Sequence, residues 1–189
     1  MKKIFLALVL AVTAVSSLQA AEKSVNWGEK IALYLPNRIM DAMDTFSVNL
    51  GVGAAAEARI MVTRYFDFGA GWNGTTYKAY KSFNRQYGAG VEEGWFWSLA
   101  CIGNEEYRLV DGTFLVDKYV ESRRGLPMPE KRTYNFFKGP RDLWAIGGTL
   151  SFGLSGDLYI HPVEYADFVL GFFFIDLRED DMSFDSLSR

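Results

Sequence analysis

Side chains that could carry out catalysis are scarce in this sequence. The chain has one histidine, His161, and one cysteine, Cys101, so a zinc site built from clustered His and Cys ligands is excluded. A serine hydrolase site would need a serine and an acid converging on His161. Ser151, Ser155 and Asp157 share the parity of His161, but residues at even spacings along one strand form a row and do not surround a nucleophile. The sequence therefore predicts no catalytic residue, and His161 is interpreted as a strand end or a helix cap.

The acidic residues and glycines do not complete a metal or nucleotide motif. Glu92-Glu93 and Glu105-Glu106 are adjacent pairs, whose side chains point to opposite faces of a strand. The acidic run 176–181 lacks the alternating oxygen ligands and the central glycine of a calcium loop. The glycines of 88–94 do not have the spacing of a dinucleotide-binding loop. We therefore expect no cofactor and no metal.

Charge and composition indicate the broad class of the protein. The 189 residues carry a formal charge of −3, whereas nucleic-acid binders concentrate Lys and Arg on one surface, so no nucleic-acid partner is expected. Aromatic residues make up 16% of the chain and glycines number 18, a mixture that suits twisted strands and tight turns. One cysteine forms no internal disulfide. The composition favours a single β-rich domain over residues 21–189.

The first twenty residues have the three parts of a bacterial secretory signal. A positive start at Lys2 and Lys3 is followed by an apolar run to Val15 and by a small, polar exit that ends at Ala20. The apolar run is shorter than the roughly 20 residues of a transmembrane helix, so cleavage is favoured over a permanent anchor. The mature chain is expected to begin near Ala21 with a formal charge of −5, because the signal removes two lysines.

Two long segments, 47–62 and 144–161, alternate apolar and polar residues with the period of a β-strand. In each segment one parity is apolar and the other is small or polar. The polar parity carries the candidate functional strand residues Glu57, Arg59, Asp157, Tyr159 and His161. Alternation establishes that the two faces differ, and it leaves open which of them is turned inward.

The two segments also match each other at an offset of 100 residues. Leu50 matches Leu150 and Gly53 matches Gly153, with further matches over 50–72 and 150–172. Either an internal duplication or two strands under one binary pattern explains these matches.

Turn residues and polar residues divide the rest of the chain. Asn73-Gly74 follows a further alternating stretch and predicts a β-hairpin turn. The segment 117–141 is the most polar of the mature chain, and we expect a long polar excursion there. Long loops are uncommon unless they are functional or mobile, so this segment is either a solvated loop or a surface for a protein partner.

Two short helices are expected, at about 37–46 and 162–175. Pro36 disfavours helix at the residue before it, and Pro162 suits a first helical turn. Each helix either packs on a core or lies in a membrane interface with its apolar side in lipid. The candidate lipid contacts are Ile39, Met43, Phe46, Phe168, Leu170, Phe172, Phe173, Phe174 and Ile175.

The alternating segments resemble the strands of small outer-membrane β-barrels. In such barrels the apolar face meets lipid and the other face lines a packed or wet lumen. The stretches LPNRIMD at 35–41 and PVEYADF at 162–168, continuing to Asp176, are similar to exported envelope proteins of Gram-negative-type bacteria that have no characterised activity. The resemblance is one of pattern and implies no reaction.

The sequence therefore predicts a mainly β protein with an antiparallel, strongly curved sheet or small β-barrel, exported to the periplasm or outer membrane. The leading hypothesis is a non-enzymatic, structural or lipid-associated protein in or against the outer membrane, with membrane or lipid as its partner. An alternative is a soluble periplasmic barrel whose apolar parity lines an interior for a hydrophobic ligand. A second alternative is a membrane-associated hydrolase that uses His161. The oligomeric state stays open.

Overall fold

The computed structural model describes residues 27–113 and 115–184, so the expected signal at 1–20 lies outside the described residues. The described chain divides into two compact units, 27–34 with 183–184 and 35–182, and the second contains the whole sheet. The elements are helix α1 (Trp27–Asp44), strands β1 (Phe46–Thr63), β2 (Phe66–Ser82), β3 (Gln86–Ala100), β4 (Ile102–Gly112) and β5 (Tyr119–Gly125), a single 3-10 turn (Arg132–Tyr134), strand β6 (Ile146–Ile160) and helix α2 (Pro162–Gly171).

All six strands form one antiparallel sheet in the order β5-β4-β3-β2-β1-β6. Strands β1 to β5 pair with their neighbours in sequence, and β6 returns to pair with β1. This confirms the prediction of a mainly β, antiparallel fold with two helices. The two alternating segments of the sequence become the neighbouring strands β1 and β6.

The buried face of the sheet is the polar one. In β1 Ser47 and Glu57 are buried while Leu50 is exposed, and in β6 Asp157 is buried while Leu150 is exposed. The alternation therefore places hydrogen-bonding and charged side chains inside and large apolar side chains outside. This is the reverse of the arrangement in a water-soluble sheet that packs on a hydrophobic core.

The hairpin turn predicted at Asn73-Gly74 is wrong, because both residues lie inside β2. Asn73 is 2% exposed; its amide donates to Tyr107 Oη at 2.9 Å, and its carbonyl oxygen accepts from Thr76 Oγ1 at 2.7 Å. These buried hydrogen bonds hold β2 in place at a β-bulge, where the register of its pairing with β3 shifts. A tight turn occurs instead at Asn84 and Arg85, where φ is 55° and 57°, the geometry of a type I′ hairpin.

Helix α1 begins ten residues before the predicted start at 37, and Pro36 lies inside it. Asn37, whose type and position suggest a helix cap, is buried and bonds instead to Met182: its Oδ1 accepts from the Met182 N–H at 2.9 Å. A tertiary contact thus uses the side chain that the local pattern assigns to a cap. The helix ends at Asp44, so Phe46, expected as a helical residue, opens β1.

Helix α2 begins at Pro162 as predicted and ends at Gly171, four residues early. Phe174 adopts φ of 62°, a left-handed conformation that an α-helix does not continue through. The sequence matches at an offset of 100 residues continue past β1 and β6, but the secondary structures there differ. Residues 66–72 belong to strand β2, whereas 166–171 are helical. Within the described residues, no helix is long and apolar enough to cross a membrane.

Part of the expected polar excursion at 117–141 is the strand β5, which pairs with β4. Its polar residues point inward: Glu121 and Arg123 are each 1% exposed, and Lys131 Nζ lies 2.9 Å from Glu121 Oε1. Further along, Thr133, Tyr134 and Arg141 are buried. The polarity of this segment therefore reflects buried ion pairs and hydrogen bonds, which composition alone does not distinguish from a solvated loop.

Candidate functional site

Four arginines converge on two carboxylates on the buried face, a group named here the arginine cluster. Its members are Glu105, Asp67, Arg59, Arg64, Arg123 and Arg141. Glu105 is fully buried, and its Oε1 accepts from Arg141 Nη2 at 2.9 Å and from Arg59 Nη2 at 3.2 Å. Because several cations share each acid, this cluster has an excess of positive charge.

A second buried group, the lysine cluster, has the opposite excess. Lys78 Nζ lies 2.7 Å from Glu92 Oε2 and 3.0 Å from Asp157 Oδ2. Glu57 joins it through Tyr107, whose hydroxyl donates to Glu57 Oε1 at 2.8 Å. One cation here faces three acids, so the two clusters together hold five cations and five acids. Glu57, Arg59 and Asp157, predicted as one polar strand face, are divided between the two clusters.

Tyr159, another residue of the predicted polar face, lies on β6 between these groups. Its hydroxyl is 2.7 Å from Thr149 Oγ1. Tyr119 lies beside Arg141, whose guanidinium is 5.3 Å from the centre of the Tyr119 ring. Burial raises the pKa of the Tyr119 hydroxyl. Hydrogen-bonded and ion-paired side chains of the protein itself thus line the interior.

The opposite face of the sheet, the apolar exterior, presents large apolar side chains to the surroundings. Phe152 is 87% exposed and Leu154 is 73% exposed. Its members on β1, β2, β3 and β6 are Val48, Leu50, Val52, Ile60, Val62, Phe66, Phe68, Trp72, Tyr77, Trp97, Leu99, Leu150, Phe152, Leu154, Leu158 and Ile160. On β4 and β5 the outer face is more polar, with Glu106, Arg108 and Arg124 exposed. The apolar exterior therefore covers four neighbouring strands and becomes mixed at β4.

The helical residues predicted to contact lipid are partly exposed. Six of the predicted contacts are exposed, namely Ile39, Met43, Phe46, Phe172, Phe173 and Phe174, and three are half-buried, namely Phe168, Leu170 and Ile175. The ring of Phe168 lies edge-on to that of Phe172 at 5.1 Å. Lys81 Nζ sits 3.5 Å above the ring of Phe46. Phe46 belongs to β1, and the other exposed residues extend the exposed apolar surface beyond the sheet.

His161 is held between a serine and an aspartate that come from other parts of the chain. Its Nε2 is 2.6 Å from Ser47 Oγ, and its Nδ1 is 2.7 Å from Asp142 Oδ2. Ser47 stands at the start of β1, Asp142 precedes β6, and His161 follows β6. The ring of Phe83 stacks on the imidazole at 4.6 Å. Ser47, His161 and Asp142 are named the trio.

The serines and the acid that share the parity of His161 in β6 are not its partners. Ser151 instead bonds Ser155 at 2.7 Å, and Asp157 pairs with Lys78. Even spacing leaves all three in a row along β6, as the alternation predicts. The sequence pattern missed Ser47 and Asp142. They are 114 and 19 residues from His161, and no local pattern links them to it.

Comparison of the chain with family models, with curated proteins and with solved structures found no match. What this protein does is therefore inferred from three arrangements of its own side chains. These are the apolar exterior, the trio, and a group of acids beside helix α2.

The acid group is formed by Asp41, Asp167 and Asp180, which present oxygens within 4.8 Å of one another. Arg38 Nη1 lies 2.8 Å from Asp41 Oδ2, and Asp167 Oδ1 accepts the backbone N–H of Leu177 at 2.5 Å. These protein donors already bind the carboxylates. The bond from Leu177 attaches the segment that follows α2 to that helix, and Arg38 Nη2 attaches the same segment to α1 through Asp181 Oδ1 at 3.1 Å.

Burial raises the pKa of these acids. It raises the pKa of Asp41 to about 7, against the lowering effect of Arg38, and the pKa of Asp167 to about 6. On α2, burial raises the pKa of Glu164 to about 8 although Arg178 lies beside it. A carboxyl group with a higher pKa in the folded state binds its proton more tightly when folded. The stability that it contributes is present at low pH and is lost as the pH rises from the unfolded pKa through the folded pKa.

The protein is therefore expected to unfold more easily at about pH 8.5 than at about pH 5.5. We expect a Tm lower by at least about 3 °C at the higher pH, measured by circular dichroism at constant ionic strength. Glu164→Gln keeps an acceptor oxygen for Arg178, which lies 3.2 Å away, but cannot ionise, so it should flatten this dependence. The exposed change Asp111→Asn is the control. If Glu164→Gln and the unchanged chain respond equally to pH, the burial of Glu164 is not the cause.

Proposed function

We propose that this protein is an exported envelope protein that lies in or against the outer membrane and contacts lipid through its apolar exterior, in a structural or lipid-associated role. One observation carries the proposal: the sheet buries its charged face and exposes its apolar face. Sheets with that arrangement suit apolar surroundings, as in the barrels that the sequence pattern resembles.

Energetic magnitudes support lipid over water outside the sheet. Burying one large apolar side chain is worth about 1.5–3 kcal/mol, and the apolar exterior has sixteen large residues. Leaving them in water would forgo tens of kcal/mol, which exceeds the net stability of about 5–15 kcal/mol that folded proteins have. The two clusters hold five cations and five acids, so their buried charges balance within the protein.

Contacts at both ends of β1 support a strongly curved sheet as part of the proposal. At one end the Arg64 N–H donates to Leu143 O at 2.9 Å, and at the other the His161 N–H donates to Thr45 O at 2.8 Å while its ring reaches Asp142. Extended backbone from 47 to 64 would span about 55 Å. Asp142 and Leu143 are adjacent, so the two ends of β1 must lie much closer together than about 55 Å. A flat strand therefore does not fit these contacts.

The register shifts near the middle of β1, β2 and β6 are where this bend would occur. They lie between Val52 and Ala56 in the pairing with β6 and between Asn73 and Thr76 in the pairing with β3, and bulges of this kind bend strands. A Cβ on Gly147 would overlap the carbonyl oxygen of Leu158, although both residues belong to β6. Half-strands of about seven residues rise about 23 Å, close to the apolar band of about 25 Å of outer-membrane proteins.

A hydrophobic ligand inside the sheet has less support. The buried face offers ion pairs such as Lys78 with Glu92 and Arg141 with Glu105, and burying an apolar molecule against charged groups gains little. The apolar parity, which such a ligand would need, is on the outside.

Membrane fractionation tests the proposal. The full chain, expressed in a Gram-negative host, should stay in the outer-membrane pellet after high-salt and carbonate washes. Leu150→Arg combined with Phe152→Arg should lower the membrane-bound fraction at least about tenfold, because one arginine at the centre of a bilayer costs about 2–4 kcal/mol. Ser122→Arg, on the more polar outer face of β5, is the matched control and should have little effect.

Two outcomes would contradict the proposal. Complete release of the unchanged chain by carbonate would exclude insertion of the apolar exterior into membrane lipid. Release as a stable dimer would show instead that a second copy covers the apolar exterior.

A further inference from the structure

We propose that Ser47, His161 and Asp142 form the catalytic group of a serine hydrolase that cleaves esters of short acyl groups. The inference goes beyond the proposed lipid contact and does not depend on it, because it rests on different residues. Its carrying observation is the two-step hydrogen-bond chain from serine to imidazole to carboxylate, at 2.6 Å and 2.7 Å.

The hydrogen-bond directions follow from the donors present. Ser47 Oγ accepts from the backbone N–H of Phe83 at 3.1 Å and lies 3.1 Å from Ser82 Oγ. Its contact with His161 Nε2 is shorter, at 2.6 Å, so we assign the serine hydroxyl proton to that bond. Asp142 is a carboxylate acceptor, so His161 Nδ1 carries the other proton. This is the arrangement in which a histidine takes a proton from a serine while an acid orients the ring.

The surroundings of the trio hold it in place. Ser47 and His161 are 1% and 3% exposed, and the stacked ring of Phe83 fixes the imidazole plane. A cavity of about 100 Å³ is lined by Ser47, His161 and Asp142 together with polar residues of the interior.

The cavity size indicates the substrate class. A cavity of about 150 Å³ accommodates benzene, so about 100 Å³ suits an acyl group of a few carbon atoms, such as acetyl or propionyl. A fatty acyl chain does not fit this space. The expected substrates are therefore short-chain esters.

The reaction balances with water as the second substrate. Ser47 Oγ attacks the ester carbonyl carbon while its proton passes to His161 Nε2, and the bond to the alcohol oxygen breaks as that proton moves to the leaving alcohol. Water then attacks the acyl-serine and gives up a proton to Nε2, which returns it to Ser47 Oγ as the carboxylic acid leaves. Asp142 acts as a positioning residue for the imidazole throughout.

Covalent labelling of the unchanged full chain in detergent tests the proposal directly. Methanesulfonyl fluoride, a small reagent that sulfonylates activated serines, should modify Ser47, as mapped by peptide mass spectrometry, and should stop hydrolysis of p-nitrophenyl acetate. Hydrolysis of p-nitrophenyl octanoate should be much slower. Because labelling is measured on the unchanged chain, this result does not depend on whether a variant folds.

Variants separate catalysis from a purely structural role. Ser47→Ala should lower ester hydrolysis by at least about 10³-fold, with circular dichroism confirming that it folds. Ser82→Ala is the matched control, since Ser82 Oγ lies 3.1 Å from Ser47 Oγ but belongs to no proton-transfer step, and it should keep most of the activity. Asp142→Asn should lower kcat and leave KM nearly unchanged.

Two results would overturn the proposal. One is a folded, unchanged chain that takes up no label at Ser47 and hydrolyses acetate esters no faster than buffer. The other is Ser47→Ala protein that keeps the activity and the label, which would assign the chemistry to another serine.

Discussion

Glu105→Gln is expected to destabilise the protein more than any other single substitution proposed for it. Glu105 is fully buried and lies within 3.9 Å of the guanidinium groups of four arginines. Neutralising it would leave those four cations with Asp67 as their remaining acid in the cluster. Removing one partner of a buried ion pair typically costs about 3–5 kcal/mol, because the other charge stays buried without compensation. We expect a loss of at least that size.

Glu106→Gln is the matched control for Glu105→Gln. Glu106 is the next residue in β4, and it is exposed on the outer face, so the same chemical change there should alter stability by no more than about 0.5 kcal/mol. Urea unfolding of both variants in the same detergent, followed by circular dichroism, measures the difference. Equal stabilities would mean that the arginine cluster does not depend on Glu105 for its charge balance.

Lys78→Met is expected to have the second largest effect. Lys78 is 4% exposed and is the cation between Glu92 and Asp157, at 2.7 Å and 3.0 Å. Methionine is similar to the lysine stem in length but leaves the two carboxylates facing each other without a cation. The expected cost is again about 3–5 kcal/mol.

Acidification distinguishes this mechanism from a packing defect. Burial raises the pKa of Glu92, but Lys78 brings it below its usual value in the unchanged chain. Without Lys78, Glu92 takes up a proton more easily, so the gap in stability between Lys78→Met and the unchanged chain should narrow as the pH is lowered. Lys118→Met is the control, because Lys118 and its partner Asp111 are both exposed and exposed ion pairs contribute little. A gap that is independent of pH would point to lost packing instead.

The positive excess of the arginine cluster equals the negative excess of the lysine cluster. Four arginines with two acids lie on one side of the interior, and one lysine with three acids lies on the other. Each cluster on its own is unbalanced, and together they are neutral. We therefore expect the interior to tolerate paired replacements across the clusters better than single ones, because only single changes leave a net charge.

Local pattern was sufficient to predict β1 and β6. Alternation at 47–62 and 144–161 identifies β1 at 46–63 and β6 at 146–160, because each residue of a strand must point to the face opposite its neighbour. The start of α2 at Pro162 was predicted for a similar reason, since the fixed φ of proline suits a first helical turn. These features depend on backbone geometry over a few residues.

Local rules failed where distant side chains use the same residues. An Asn-Gly pair is typical of a turn, but Asn73 donates a hydrogen bond to Tyr107 of β4 and lies within a strand. Asn37 has the composition of a helix cap, but it bonds Met182 and lies inside α1. In both cases a buried hydrogen bond to a residue far along the chain outweighs a preference of the order of 1 kcal/mol.

Taken alone, the amino-acid order establishes that this protein has long two-faced strands and a single histidine. The folded chain shows in addition that the polar face is buried. Alternation alone is symmetrical, and only the contacts among charged side chains from different strands reveal which face is the inner one. The fold also selects the partners of His161, because the pairing of β1 with β6 brings Ser47 beside it and the segment before β6 brings Asp142 to its Nδ1. Residues 114 positions apart become neighbours through strand pairing, which no spacing in the chain reveals.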